Sequence, residues 1–166
     1  MPKMIDNNTC DVKQRKRSVK GVSLYIHEFA LNDMIHHAES GGTDEIMGLM
    51  LGNVYQDDDG RYAVTERIVT SKLIADDKSV KFDESDLTSL FESIGDLKGS
   101  VVTGWYHSHP GFGCFLSETD VRTHVGIFNG ECAFALVIDP VRQEIKAFDS
   151  TPDDPQEAMF IIVEDD

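Results

Sequence analysis

Two histidines, a serine and an aspartate lie within fourteen residues of one another, in the stretch GWYHSHPGFGCFLSETD that spans residues 104–120. His107 and His109 are two residues apart, so on a β-strand their side chains would point to the same side. Pro110 would end that strand because it has no backbone N–H to donate. The spacing therefore predicts two imidazoles that face one way at a strand end.

A helix start should follow the two histidines. Ser117 is a good helix N-cap, and Asp120 would lie one turn later on the same face. Alone, the SxxD spacing more often marks only a helix cap. Two imidazoles and one carboxylate suit zinc, and three protein ligands leave the fourth tetrahedral position for water. We therefore predict a catalytic zinc site made of His107, His109 and Asp120.

Other residues around this cluster have competing interpretations. Gly111 and Gly113 would let a loop turn sharply or lie close to a ligand. The thiol of Cys114 could be a nucleophile near the histidines, although no spacing pairs it with a base. We expect Ser108 to support the backbone, and His124 to pack or hydrogen bond near the site rather than act as a fourth ligand.

The elements that must position these residues follow from hydrophobic periodicity. The pattern predicts a short strand at VSLYI and a helix whose apolar face lies within residues 31–38. The run EIMGLMLGNV predicts a strand buried on both faces, with Glu45 at its start, and RYAVTERIVTS should pair with it as an antiparallel hairpin. A polar loop over residues 72–83 and a helix over residues 87–94 should follow.

The pattern in the second half of the sequence predicts further strands. SVVTGWYHSH should be a strand, and CAFALVIDP and EIKAFDS should form a strand pair turned at Asp139 and Pro140. We expect one α/β domain over residues 21–150. An acidic tail over residues 151–166 could add an edge strand through MFIIV. Residues 1–20 contain six Lys or Arg and two Asp, which predicts a disordered basic N-terminal arm.

Composition excludes several classes of function. The net charge of −15, from 15 basic and 30 acidic residues, would repel a phosphate backbone, so we expect no nucleic-acid partner. No apolar run approaches the roughly 20 residues of a membrane span, and the opening residues lack a secretory signal. We expect a cytoplasmic protein without membrane contact, and a monomer or weak homo-oligomer. The three cysteines show no disulfide or zinc-knuckle spacing.

EIMGLMLG, followed later by GWYHSHPGFGCFLSETD, resembles the JAMM (MPN+) metalloprotease family, and the pattern E…HxHPx(6)SxxD is highly specific. The resemblance runs from about residue 22 to residue 150. It implies an MPN (JAB1/MPN) domain, with a curved mixed β-sheet flanked by helices, that binds one catalytic Zn²⁺. It also implies that ubiquitin or ubiquitin-like conjugates are substrates, and it suggests the proteasome as a further partner.

The resemblance also implies roles for individual residues. His107, His109 and Asp120 would hold zinc, Glu45 would be the general base and then acid, and Ser117 would stabilise the tetrahedral intermediate. The groove for the modifier's tail would be bordered by Gly111, Phe112, Gly113, Cys114 and Phe115. This sequence differs from the family's eukaryotic members at Phe115, where they have tryptophan, and at His124, where they have glutamine.

Three interpretations remain open at this point. The first is a zinc isopeptidase that cuts a ubiquitin-like modifier from a substrate lysine. The second is a JAMM peptidase that processes a sulfur-carrier protein, and the sequence does not separate these two substrates. The third is a non-catalytic MPN scaffold, against which the complete set of metal ligands argues.

Overall fold

A computed structural model of the chain describes residues 12–70, 99–128 and 132–164, which contain nine strands and two helices. The predicted loop over residues 72–83 and the predicted helix over residues 87–94 lie outside them. In chain order the elements are β1 (Lys13–Gln14), β2 (Leu24–His27), α1 (Glu28–Ser40), β3 (Met47–Asp57), β4 (Gly60–Thr70), β5 (Val101–Ser108), α2 (Glu118–Ile127), β6 (Phe134–Asp139), β7 (Glu144–Phe148), β8 (Glu157–Ala158) and β9 (Ile161–Val163).

The strands form one mixed sheet in the order β8-β7-β6-β5-β3-β4-β2-β9, and β1 pairs with β3. The strands at the two ends, β8 and β9, are separated in the chain by only Met159 and Phe160. So short a connection requires the two ends of the sheet to approach each other, and the sheet therefore curls. This architecture confirms the predicted curved mixed sheet with flanking helices.

The centre of the sheet is the β3–β4 hairpin together with β5. The strands on either side of β3 in this order, β4 and β5, run antiparallel to it, and Met47 lies opposite His107 in the β3–β5 register. The first six residues of β3 are fully buried, as the continuous apolar run predicted. The hairpin predicted from EIMGLMLGNV and RYAVTERIVTS is therefore confirmed, and its neighbour β5 carries the histidine pair.

Two hydrophobic clusters fix the position of β5. One contains the apolar face of α1, including Leu31, Met34 and Ala38, together with Tyr106. The other contains Trp105, with Phe128 at the end of α2. Neighbouring residues of β5 thus enter different clusters, as the alternation of side chains along a strand requires. Burial of aromatic surface in both clusters holds the strand that leads to the histidines.

A glycine in β5 allows close contact with β6. Gly104 has φ of 152°, and a Cβ at this position would overlap the Phe134 carbonyl oxygen. Only glycine fits without a shift of one strand, so this residue sets the spacing on which the β5–β6 pairing depends.

The predicted disorder of residues 1–20 needs correction for residues 12–20. Lys13 and Gln14 pair with β3, and Arg17 as a whole residue is 7% exposed. The Arg17 Nε and Nη2 atoms donate to both carboxylate oxygens of Asp57, at 2.7 and 2.9 Å. The basic composition of this segment predicted disorder because the acidic partner of Arg17, Asp57, lies 40 residues away and cannot be recognised from the local sequence. Residues 1–11 lie outside the described residues.

The C-terminal residues contribute strands at both ends of the sheet. Ile161 and Ile162 of β9 pair in parallel with Tyr25 and Ile26 of β2, whereas β8 pairs with β7. The strand β9 lies within the MFIIV segment. Among the described helices, none has the length and apolar character required to cross a bilayer.

Candidate metal centre

Three buried side chains converge where β5 ends and α2 begins. The Nε2 atoms of His107 and His109 lie 3.1 and 3.2 Å from the same carboxylate oxygen, Oδ2 of Asp120. One ligand atom from each residue lies within 4.8 Å of the other two. The structure thus brings together the three residues predicted to hold zinc, with their donor atoms close to one another.

The start of α2 positions Asp120. Ser117 is the N-cap residue, and its hydroxyl oxygen accepts a hydrogen bond from the Asp120 N–H at 3.1 Å. In return, the Ser117 N–H donates to Asp120 Oδ2 at 2.9 Å. This reciprocal capping box confirms the predicted N-cap and fixes the carboxylate that faces the histidines. The SxxD spacing therefore serves both as a cap and as part of the cluster.

His109 is oriented by the loop that follows it. Its Nδ1 lies 3.2 Å from the Gly113 carbonyl oxygen, which can accept only if Nδ1 carries the proton. In the neutral ring, that tautomer leaves the lone pair on Nε2, which faces Asp120. Metal-binding histidines commonly have such a backbone carbonyl on the other ring nitrogen. The geometry of His109 therefore fits a ligand that binds through Nε2.

His107 is held by packing. The indole of Trp105 stacks on its ring with centroids 4.5 Å apart, and Nδ1 of His107 is buried without a hydrogen-bond partner among the described residues. The Trp105 N–H donates to His124 Nδ1 at 3.0 Å, and His124 Nε2 lies 2.9 Å from the Asp149 carbonyl oxygen. His124 therefore supports the packing beside the cluster, as expected, with both of its ring nitrogens engaged.

Glu45 lies beside the cluster without joining it. Its Oε1 is 3.7 Å from His109 Nε2, and its side chain is 39% exposed. The next residue, Ile46, donates its N–H to the Ser108 hydroxyl at 2.9 Å and accepts from the Ser108 N–H at 3.0 Å. Ser108 thus ties the Glu45 segment to the strand that carries both histidines, which confirms its expected support of the backbone.

The electrostatic environment favours an ionised Asp120. Burial would raise the pKa of Asp120, but hydrogen bonds from His107 and His109 outweigh burial and hold the pKa well below its usual range. Burial lowers the pKa of His109. The hydrogen bond and charge of Asp120 and the charge of Glu45 outweigh burial, so the pKa of His109 is raised overall. The pKa of Glu45 is raised, first by burial. One firmly ionised carboxylate and two imidazoles are a donor set that fits zinc.

Metal affinity should depend on pH through His109. In the metal-free chain Asp120 and Glu45 raise the pKa of His109 from its ordinary value despite burial, so a proton occupies the ring below that pKa and must leave when metal binds. We expect zinc affinity to be constant above the pKa of His109 and to fall with decreasing pH below it, by about tenfold per pH unit for each proton displaced. Competition titrations across this range would measure the slope. An affinity independent of pH down to 5 would contradict His109 as a ligand.

The five residues predicted to border a groove form the loop between His109 and Ser117. Gly111 and Gly113 have φ of 81° and 88°, which residues other than glycine rarely adopt. Phe112 and Phe115 are 66% and 48% exposed, and the Phe115 ring lies 4.9 Å from the His109 ring between centroids. The loop thus presents two aromatic rings to solvent next to the cluster.

Cys114 points away from this surface and into the fold. Its thiol donates to the carbonyl oxygens of Val137 and Glu144, both at 3.3 Å, and burial raises the pKa of the thiol. A buried thiol with a raised pKa is a poor nucleophile at neutral pH. This geometry does not support the alternative in which Cys114 attacks a substrate.

We expect Cys114→Ala to change kcat/KM by less than about fivefold, because the thiol's weak hydrogen bonds contribute little. Iodoacetamide should leave the activity of the native chain nearly intact, because a buried thiol with a raised pKa reacts slowly. Steady-state assays of the variant and of the alkylated protein would test this. Loss of activity in Cys114→Ala while metal content stays normal would contradict the assignment.

Two residues near the cluster were not singled out from the sequence. Trp105 stacks on His107, and Asp139 binds the loop that contacts His109. The alternation along β5 could have placed Trp105 on the same side as His107. The sequence marked Asp139 only as a turn residue, because its partners in the loop, Gly113 and Gly111, lie 26 and 28 residues away in the chain.

Comparison with known proteins identifies the family of the chain. The sequence matches the JAB1/Mov34/MPN/PAD-1 ubiquitin protease family over residues 19–127. The chain belongs to this family, and the resemblance to the MPN domain is confirmed.

Relatives of the chain include subunits of two large complexes. It is 37% identical over 123 residues to COP9 signalosome complex subunit 5 of Drosophila melanogaster, across 72% of this chain and 37% of that protein. It is 34% identical over 126 residues to 26S proteasome non-ATPase regulatory subunit 14 of Dictyostelium discoideum, across 72% of this chain and 39% of that protein. The chain therefore spans about two fifths of the length of these relatives.

Solved structures show the same fold. A protein from Desulfitobacterium hafniense superposes with a TM-score of 0.65 at 24% identity, over 86% of this chain and 94% of that one. A JAB1/MPN domain protein from Archaeoglobus fulgidus superposes with a TM-score of 0.55 at 21% identity, over 86% of this chain and all 100% of that one. Both agree with the curled sheet described above.

Proposed function

We propose that the chain is a zinc-dependent isopeptidase that hydrolyses the bond between the C-terminal tail of ubiquitin, or of a ubiquitin-like modifier, and a substrate lysine. The observation that carries this proposal is the convergence of His107 and His109 on Asp120, with Glu45 at 3.7 Å from His109 and outside the donor set. A cluster with a separate, half-exposed carboxylate at its edge suits hydrolysis better than a purely structural role.

His107, His109 and Asp120 would hold the zinc ion. When bound, zinc supplies Lewis-acid polarisation of the scissile carbonyl and makes water a better nucleophile near neutral pH. The protein contributes the placement of the three donors. The capping box fixes Asp120, the Gly113 carbonyl orients His109, and the Trp105 ring packs on His107.

Glu45 would carry the proton. Its Oε1 would accept a proton from the attacking water and deliver it to the departing lysine amine. The raised pKa of Glu45, caused first by burial, brings this carboxylate closer to the pH at which it can both accept and release a proton. The tie between Ile46 and Ser108 would keep Glu45 at this position while the proton moves.

Ser117 would stabilise negative charge on the substrate oxygen. Its hydroxyl oxygen accepts from the Asp120 N–H, which leaves the hydroxyl proton available to donate. A donor fixed in place by a helix cap loses little entropy when charge develops in front of it. This role is compatible with the capping role, because the two use different parts of the hydroxyl group.

The loop beside the cluster supports an extended tail as substrate. Phe112 and Phe115 expose their rings there, and a Cβ built on Gly111 would meet open space. A tail that ends in two glycines could lie close to such a surface where larger side chains could not. The names of the relatives, subunits of the signalosome and of the proteasome, support conjugates of ubiquitin-like proteins as the partner class.

A substrate panel would test the proposal. The zinc-loaded chain would be incubated with a ubiquitin-like modifier joined to lysine through an isopeptide bond, and with the same modifier fused to a peptide through its C-terminus. We expect cleavage of the isopeptide conjugate after the terminal glycine. Binding of the conjugate without cleavage by a zinc-loaded chain would favour the scaffold alternative, and exclusive cleavage of the fusion would favour the processing peptidase.

A further inference from the structure

Asp139, the last residue of β6, has a fully buried carboxylate that accepts four backbone hydrogen bonds. Its Oδ1 accepts from the N–H groups of Gly111 at 2.8 Å and of Val141 and Arg142 at 3.0 Å. Its Oδ2 accepts from the Gly113 N–H at 2.8 Å. One side chain therefore fastens both its own turn and the loop that borders the metal centre.

A buried carboxylate is costly unless hydrogen bonds compensate for the loss of water. Burial would raise the pKa of Asp139, but the backbone hydrogen bonds from Arg142, Gly111, Gly113 and Val141 outweigh it, so the pKa is lowered. The carboxylate is thus ionised at neutral pH, and hydrogen bonds to an ionised acceptor are stronger than neutral ones. The loop glycines are held by charge-assisted bonds.

These bonds lead directly to His109. The N–H of Gly113 binds Asp139, and the carbonyl of the same residue lies 3.2 Å from His109 Nδ1. In addition, the His109 N–H donates to the carbonyl of Ile138, the residue before Asp139, at 2.9 Å. The end of β6 therefore fixes His109 twice, through its backbone and through the ring's hydrogen-bond acceptor.

We propose that Asp139 is a positioning residue for the metal centre, which holds the Gly113 carbonyl at Nδ1 of His109 and thereby directs Nε2 of His109 toward the metal. This inference rests on the proposed function, since it takes His109 to be a ligand. A turn former would need only the bonds to Val141 and Arg142. The bonds to Gly111 and Gly113 join segments 28 and 26 residues apart and have no part in that turn.

Asp139→Asn tests the inference with minimal change of shape. The amide oxygen can replace Oδ1, which has three donors, but the amide NH₂ would then face the Gly113 N–H as a second donor. The matched control is Asp149→Asn. Asp149 directly follows β7, and its carboxylate accepts backbone N–H bonds from Thr151 and Gln156 rather than from the loop beside the cluster. Its backbone carbonyl, which contacts His124, is unchanged by the substitution.

Two readouts would be taken on the folded full chain. Amide hydrogen exchange, measured without metal, reports the bonds to Gly111 and Gly113, and competition titration reports zinc affinity. In Asp139→Asn we expect faster exchange at Gly113 and a loss of zinc affinity of about 10–100-fold, the usual effect of removing support for a ligand. Asp149→Asn should match the wild type in both.

Faster exchange at Gly113 with zinc affinity within twofold of the wild type would overturn the inference, and so would unchanged exchange. If the wild type itself bound no zinc, the proposed function would fail first, and the wild-type titration identifies that case by itself.

A second variant covers the possibility that Asp139→Asn does not fold. Gly111→Val would disturb the same loop while the Asp139 side chain itself stays unsubstituted, because valine disfavours the φ of 81° at this position. Gly111→Asn tolerates such a φ and is its control. We expect Gly111→Val to lose zinc affinity and Gly111→Asn to retain most of it. Equal affinity in the two variants would show that the loop does not position His109.

Discussion

Glu45→Gln should retain zinc and the fold but lose at least about 100-fold in kcat, with little change in KM when chemistry limits turnover. Glutamine has nearly the same shape as glutamate and can still hydrogen bond, but it cannot accept the proton of the attacking water. Because Glu45 lies outside the donor set, at 3.7 Å from His109, its charge is not required to hold the metal. Steady-state kinetics and zinc quantification on the same preparation would measure both effects.

The neighbouring carboxylate provides a matched control for Glu45. Asp44→Asn removes the same charge one residue away, and we expect its kcat to stay near that of the wild type. A Glu45→Gln variant that cleaves at the wild-type rate would show that another group is the base. A variant that loses zinc would instead make Glu45 a ligand and would require a different description of the centre.

Removal of any one metal ligand should have the second large effect. We expect His107→Ala, His109→Ala and Asp120→Ala each to lose zinc and at least about a thousandfold in kcat/KM, since the metal contributes several kcal/mol to stabilisation of the transition state. Asp120→Ala also removes the partner of both imidazoles, at 3.1 and 3.2 Å, whereas either histidine change removes one partner of Asp120 Oδ2. Zinc per chain, by metal analysis after dialysis, would be compared with kcat/KM.

A histidine outside the cluster controls for loss of an imidazole. His36 lies on α1 and is exposed, so His36→Ala should keep both zinc and activity. Circular dichroism would show whether each cluster variant is folded, because all three side chains are buried. Retention of one zinc by all three folded variants would contradict the proposed ligand set.

The local part of this site could be predicted from the sequence. The two-residue spacing of His107 and His109 on a strand, and the N-cap at Ser117, involve only neighbours in the chain. The alternation of side chains and the geometry of a helix start hold in any fold, so these patterns indicated the three donors. Their meeting within 4.8 Å depends on the short loop between the two elements.

The position of Glu45 could not be predicted in this way. It depends on the β3–β5 register and on the bond between Ile46 and Ser108, which are 62 residues apart. Periodicity identified both strands but does not say which strands are neighbours. The role of Glu45 therefore came only from the family resemblance.

Charged residues with distant partners were the main source of error. Arg17 belonged to a segment whose basic charge predicted disorder, yet it is buried against Asp57. Asp139 was predicted only as a turn residue, yet its carboxylate also accepts two bonds from the loop after His109. In both cases a charged side chain of a type usually found in solvent is buried, with hydrogen-bond partners from another part of the chain.

The most direct test of the account is cleavage of an isopeptide conjugate by one preparation of the wild-type chain in three states: as metal-loaded protein, after chelation, and after zinc is added back. The account predicts cleavage after the modifier's terminal glycine in the first state, none in the second, and recovery in the third together with one zinc per chain. Cleavage that continues at the same rate after complete metal removal would contradict it, as would a chain that binds one zinc at this centre and cleaves no such bond.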